Sequence, residues 1–77
     1  MDIVDVKVID KSKSFEIKTF QGLHGKQQLT VWTFLITFET GRGQILRVEV
    51  PEKRYKRIEI GNKGELTIKH GRFKKFR

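Results

Sequence analysis

Ile60-Gly61-Asn62-Lys63-Gly64-Glu65-Leu66-Thr67-Ile68-Lys69-His70-Gly71-Arg72-Phe73 is the stretch that decides the fold. Two turn signals bracket one short alternating strand, and a second strand follows at once. Leu66 and Ile68 alternate with Glu65, Thr67 and Lys69, so one face is apolar and the other polar. His70-Gly71 is a two-residue hairpin turn, and Arg72 to Phe76 returns as the last strand. Gly61 to Gly64 turns the chain into this hairpin. The back of the chain therefore reads as antiparallel sheet.

The same period continues upstream. Val4, Val6 and Val8 share a face opposite Asp5 and Lys7, which predicts a first strand over residues 3–9. Asp10-Lys11-Ser12-Lys13-Ser14 reads as a polar break, and Phe15 to Phe20 as a second strand with Phe15, Ile17 and Thr19 together. Gln21-Gly22-Leu23-His24-Gly25-Lys26 reads as a loop. The strongest alternation runs from Leu29 to Glu39. Trp32, Phe34, Ile36 and Phe38 form one face, and Val31 and Leu35 make the other half apolar. This pattern predicts a central strand covered on both sides, with Trp32 in the core. Thr40-Gly41-Arg42-Gly43 forms a tight loop before a strand with Leu46, Val48 and Val50 inward, which Pro51 ends because it lacks a ladder donor. Residues 52–58 have no period of two. Tyr55 and Ile58 lie at i and i+3, which predicts one short helical turn.

Five or six short strands in 77 residues imply one all-β domain over residues 1–77. The expected architecture is a small antiparallel barrel or rolled sheet, SH3-like or OB-like. Closure through the first and last strands would remove the exposed edges. No cysteine is present, so neither a disulfide nor a thiolate metal site braces the small core.

The charge is uneven. In residues 1–40 five Lys balance five Asp and Glu, whereas residues 41–77 carry twelve Lys and Arg against four Glu, the whole of the net +8. Such asymmetry points to an anionic partner: nucleic acid, an acidic lipid surface or an acidic protein. Two basic clusters are the candidate contacts: Lys53, Arg54, Tyr55, Lys56 and Arg57, and then Arg72, Lys74, Lys75 and Arg77 interleaved with Phe73 and Phe76. Cations neutralise phosphates, while exposed rings stack on bases. The bland alternative is a solvated face in which Phe73, Phe76 and Tyr55 belong to the core. On a regular strand Phe73 and Phe76 have opposite parity, so at least one faces inward.

No catalytic constellation is visible. Ser12 and Ser14 lack a neighbouring histidine, and the carboxylates are scattered. His24 and His70 each sit beside a glycine in a turn, with no third nitrogen or sulfur ligand for a metal. The expectation is a protein that is not an enzyme and needs no cofactor. The longest uncharged run, Gln27 to Phe38, is too short and polar to span a bilayer. The chain reads as soluble in the form given, and an exposed edge strand offers a route to a weak homodimer.

Several of these segments together resemble a known family. Val6-Lys7-Val8-Ile9-Asp10-Lys11 opens the pattern, followed by Phe34-Leu35-Ile36-Thr37-Phe38-Glu39, Val48-Glu49-Val50-Pro51 and Tyr55. Gly61-Asn62-Lys63-Gly64-Glu65-Leu66-Thr67 and Gly71-Arg72-Phe73-Lys74-Lys75-Phe76 complete it. In order and spacing the chain resembles the bacterial domain-of-unknown-function family number 2500 over nearly its whole length. The resemblance implies a small β domain without an established activity, typically carried behind one amino-terminal membrane helix. With such a helix removed, the domain would be extracytoplasmic; without one, cytoplasmic. This sequence lacks that helix and is unusually basic, and the family supplies no catalytic residues to transfer.

Overall fold

The computed structural model describes residues 2–77. Among these residues five antiparallel strands form one sheet: β1 (Asp2–Gly22), β2 (Gly25–Thr40), β3 (Ile45–Glu49), β4 (Lys63–Lys69) and β5 (Arg72–Phe76), with a single helix, α1 (Glu52–Arg57), between β3 and β4. The sheet order is β3-β2-β1-β4-β5. The first strand is therefore central. The edges are β3 and β5, which approach one another without a ladder between them, so the sheet is rolled but open. This corrects the expected closure through the first and last strands.

The core lies at the end of the molecule where all five strands meet. Val6 and Val8 of β1, Ile36 and Phe38 of β2, Val48 of β3 and Leu66 of β4 are buried together with Val50 and Ile58. These are the inward positions of the period-two pattern. Tyr55 and Ile58 supply one face of the helical segment, as their spacing requires. Ile58 is buried in the core, and the Tyr55 ring packs on Phe34 with centroids 5.1 Å apart.

Two bulges reset the side-chain parity. In β1 the register with β2 shifts between Val8 and Asp10. Val4, Val6 and Val8 face the core before Ile9, and the odd-numbered residues take that face after it. In β5 the shift falls opposite Thr67/Ile68, so Phe73 pairs with Ile68 and Phe76 with Leu66. Both phenylalanines pack against the core, and Phe76 lies 5.5 Å from the Phe38 ring. A regular strand would have turned one of them to solvent.

The turns follow from backbone requirements. His70 (φ 53°) and Gly71 (φ 74°) both have positive φ, the geometry of a two-residue turn suited to twisted strands. Gly64 is needed for a different reason. Glu65 and Arg77 exchange both backbone hydrogen bonds, at 2.8 and 3.0 Å, which brings the Arg77 carbonyl oxygen to where a Cβ on residue 64 would stand. The turn before β4 lies one step earlier than the sequence suggested. The Asn62 amide donates to the Glu59 carbonyl (3.0 Å), the Glu59 amide to Asn62 Oδ1 (2.8 Å), and β4 has already begun at Lys63.

The largest departure concerns residues 10–35. The polar segment 10–14 is not a break, because β1 runs unbroken from Asp2 to Gly22. Residues 21–26 are not an open loop either: Gly22 pairs with Gly25, and only Leu23 and His24 turn. β2 has β3 as a neighbour only over Leu35–Glu39, and β1 has β4 only over Asp2–Lys7. Beyond that, β1 and β2 pair with each other alone. The result is a two-stranded ribbon projecting from the roll, which stretches the molecule to 52 × 24 × 20 Å. The radius of gyration is 15.7 Å, against about 11–12 Å for a compact domain of this length. Trp32 lies on this ribbon and is 49% exposed, so it is not a core residue.

Candidate functional site

The ribbon carries the exposed chemistry. Counting outward from Gly22 and Gly25 brings Phe15 opposite Trp32, Lys13 opposite Phe34 and Lys11 opposite Ile36. Because Ile9 has reset the parity, Lys11, Lys13, Phe15 and Ile17 share the face that carries Trp32 and Phe34. Four rings form a ladder along it. Phe15 and Trp32 are 5.2 Å apart, Trp32 and Phe34 6.4 Å, and Phe34 and Tyr55 5.1 Å. These spacings lie in the range where aromatic pairs attract. Lys11 Nζ sits 4.3 Å from the Tyr55 centroid, within reach of a cation–π contact, and Lys13 Nζ is 6.0 Å from the Trp32 ring, at its outer limit. A shallow hollow of about 280 Å³ opens where the ladder meets α1, between Lys13, Trp32 and Tyr55.

The opposite face of the ribbon is apolar as well. Phe20, Leu29 and Val31 lie there beside Glu16 and Lys18. Of the ten large hydrophobic residues exposed among those described, six (Phe15, Ile17, Phe20, Leu23, Leu29 and Trp32) are on the ribbon. Leu23, at the tip, is 98% exposed.

The two basic clusters take different positions. Lys53, Arg54, Lys56 and Arg57 are exposed on α1, while Tyr55 turns inward onto Phe34 and under Lys11. Lys56 is paired with Glu52 one turn earlier (3.2 Å). Arg72, Lys74 and Arg77 are exposed on or just after β5, and Lys75 is half-buried. Arg72 lines a hollow with Pro51 at the start of α1, so that end of the second cluster lies near the first. Neither cluster presents a ring of its own to solvent, since Tyr55, Phe73 and Phe76 pack inward. The exposed rings, Phe15, Phe20 and Trp32, stand farther out on the ribbon. Sequence reading passed over Lys11, Lys13, Phe15 and Trp32 as a group. The signal was the Gly22–Gly25 turn, from which the cross-strand partners follow by counting.

His24 and His70 occupy separate turns, and no group of three or more His, Cys, Asp and Glu comes together among the described residues. No helix among them is long and apolar enough to cross a membrane.

Comparison with known proteins agrees with this architecture. A structural-genomics crystal structure from Proteus penneri ATCC 35198 superposes with a TM-score of 0.82 at 23% identity, covering 99% of this chain and 91% of that one. At that identity the likeness establishes the fold. No curated protein matches the chain. The family model described as "Protein of unknown function (DUF2500)" matches residues 2–77, which span the rolled sheet and its ribbon alike, and the chain belongs to that family.

Proposed function

We propose that this domain is a non-enzymatic binding or structural module of a bacterial envelope-associated protein, and that the β1–β2 ribbon is its contact element. The observation that carries the reading is the concentration of exposed apolar side chains on the ribbon. Large exposed apolar patches on soluble proteins mark interaction sites. The ribbon adds little to the core, since the buried cluster ends at Ile36 and Val8. The envelope placement rests on the resemblance to a family whose members are typically membrane-anchored. A photo-crosslinking side chain at Ile17 or Leu29 is expected to give adducts in native envelope material, whereas the same group at Arg47 or Lys69 on the rolled sheet gives none. Adducts at the sheet positions and none on the ribbon would overturn the assignment.

A second reading is a nucleic-acid-binding domain that uses Lys53, Arg54, Tyr55, Lys56, Arg57, Arg72, Lys74, Lys75 and Arg77. Its support is the number of unpaired cations: among the described residues only Lys56 has a carboxylate within ion-pair distance. Because the rings of both clusters turn inward, this reading draws on phosphate attraction alone, and its affinity would fall steeply with salt.

A further inference from the structure

We infer that the tip of the ribbon docks on an acidic lipid surface, with Phe20 and Leu23 entering the headgroup region and Lys18 and Lys26 engaging lipid phosphates. This rests on the ribbon being the contact element. Three observations select the occupant.

The first is charge. From Ile17 to Phe38 there is no acidic residue, and Lys18 and Lys26 are the charged groups, with His24 in the turn. A second copy of the tip would bring like charges together on a chain of net +8, so self-association through this end is opposed. An anionic surface is attracted by the same charges.

The second is the distribution over the faces. Ile17 and Lys26 lie on one face, and Phe20, Leu29 and Lys18 on the other. Near the tip one face thus carries Phe20 and Leu29 with Lys18, and the other carries Ile17 with Lys26 among Thr19, Gln21, Gln28 and Thr30. A protein groove or a base-stacking platform would use one face. A medium that surrounds the tip wets both, and the membrane interface, where rings and aliphatic groups sit at headgroup level with lysines reaching for phosphate, is such a medium.

The third is shape. Leu23 stands at the extreme end, 98% exposed, on a turn of only two residues with no strand beyond the pair. The ribbon's edges are unpaired, so its backbone groups need water or lipid headgroups as partners. That confines entry to the interface and to the last few residues.

The test is sedimentation of the whole chain with vesicles of phosphatidylglycerol and phosphatidylcholine in equal parts, compared with phosphatidylcholine alone. Binding is expected on the acidic vesicles only. The double variant Phe20→Ser/Leu23→Ser is expected to bind about tenfold more weakly or worse, and the control Ile60→Ser, exposed on the rolled domain, to bind like the parent. A tryptophan moved to the tip (Leu23→Trp with Trp32→Phe) should shift its emission to the blue on acidic vesicles. No binding, or full binding by the double variant, overturns the proposal; the latter would be plain adsorption through the α1 and β5 cations. Crosslinking at Ile17 separates the two readings. Adducts with a protein or an oligonucleotide and none with lipid would sink the lipid assignment while leaving the ribbon as contact element. No adduct of any kind would sink both.

Discussion

Trp32→Ala and Ile36→Ala test whether the ribbon and the roll are separate energetic units. The two residues lie four positions apart, on the same strand and face, yet Ile36 is fully buried and Trp32 is 49% exposed. Truncating Ile36 leaves a cavity in the core, at about 2–5 kcal/mol. For Trp32 two estimates disagree. A large aromatic buries up to about 250 Å² when enclosed, so covering half of it at ~25 cal/mol per Å² gives about 3 kcal/mol. Cross-strand pairs on two-stranded ribbons contribute only about 0.2–1 kcal/mol. The smaller figure should win, because the loss is capped by the ribbon's own stability. A hairpin without a third strand is marginal in water. Once it opens locally, nothing further can be lost there. Trp32→Ala is therefore expected to cost the fold no more than about 1 kcal/mol, a drop in Tm of at most roughly 8 °C, against at least twice that for Ile36→Ala. Thermal and urea unfolding followed by far-ultraviolet circular dichroism give both numbers without relying on the tryptophan as probe. If Trp32→Ala costs as much as Ile36→Ala, the ribbon is not energetically separable and the reasoning fails.

Other outcomes follow from features of the roll. Gly64→Ala is expected to push the Arg77 carbonyl away, breaking its hydrogen-bonded pair with Glu65; the cost should be about 1–3 kcal/mol, read from urea midpoints, and an unchanged midpoint would mean that the chain end is not held there. Gly71→Ala should cost about 1 kcal/mol because φ is 74°, whereas His70→Asn should be neutral or slightly stabilising; thermal unfolding of the pair distinguishes them. Binding of the parent chain to a single-stranded oligonucleotide at low and moderate salt is expected to be weak and salt-sensitive. Tight binding at low salt that collapses at moderate salt and falls when Lys53, Arg54 and Arg57 are changed to Ala would favour the nucleic-acid reading instead.

The inward set was legible because its signal is local. Val6, Val8, Ile36, Phe38, Val48 and Leu66 all lie at period-two positions, and Tyr55 and Ile58 break that period where α1 stands. The Thr40–Gln44 turn was legible from its glycines; there Thr40 Oγ1 accepts from the Arg42 and Gln44 amides at 3.3 and 3.1 Å. What alternation does not encode is depth. Trp32 and Ile36 look alike in the pattern, and only the distance from the third strand makes one buried and the other exposed. Lys11-Ser12-Lys13-Ser14 looked like a break because neither face is apolar, but a strand needs only a partner's backbone to pair with, and β2 supplies it. The inward packing of both Phe73 and Phe76 depends on the β5 bulge, which no turn residue announces. The candidate site was hidden for a related reason, since it is assembled across the Phe15–Trp32 register and not within either segment.

The bulge at Ile9 lies where β1 leaves its neighbour β4, a few residues short of Leu35, where β2 leaves β3 and the two-stranded projection has its root. Beyond Leu35 about ten residue pairs extend at ~3.3 Å each, a lever of roughly 35 Å. A pivot of about 10° at such a root would sweep the far end through some 6 Å, about one and a quarter strand spacings. Small changes in strand twist at one position are thus converted into reach, and the rolled sheet can stay fixed while its extremity adjusts to targets at different heights.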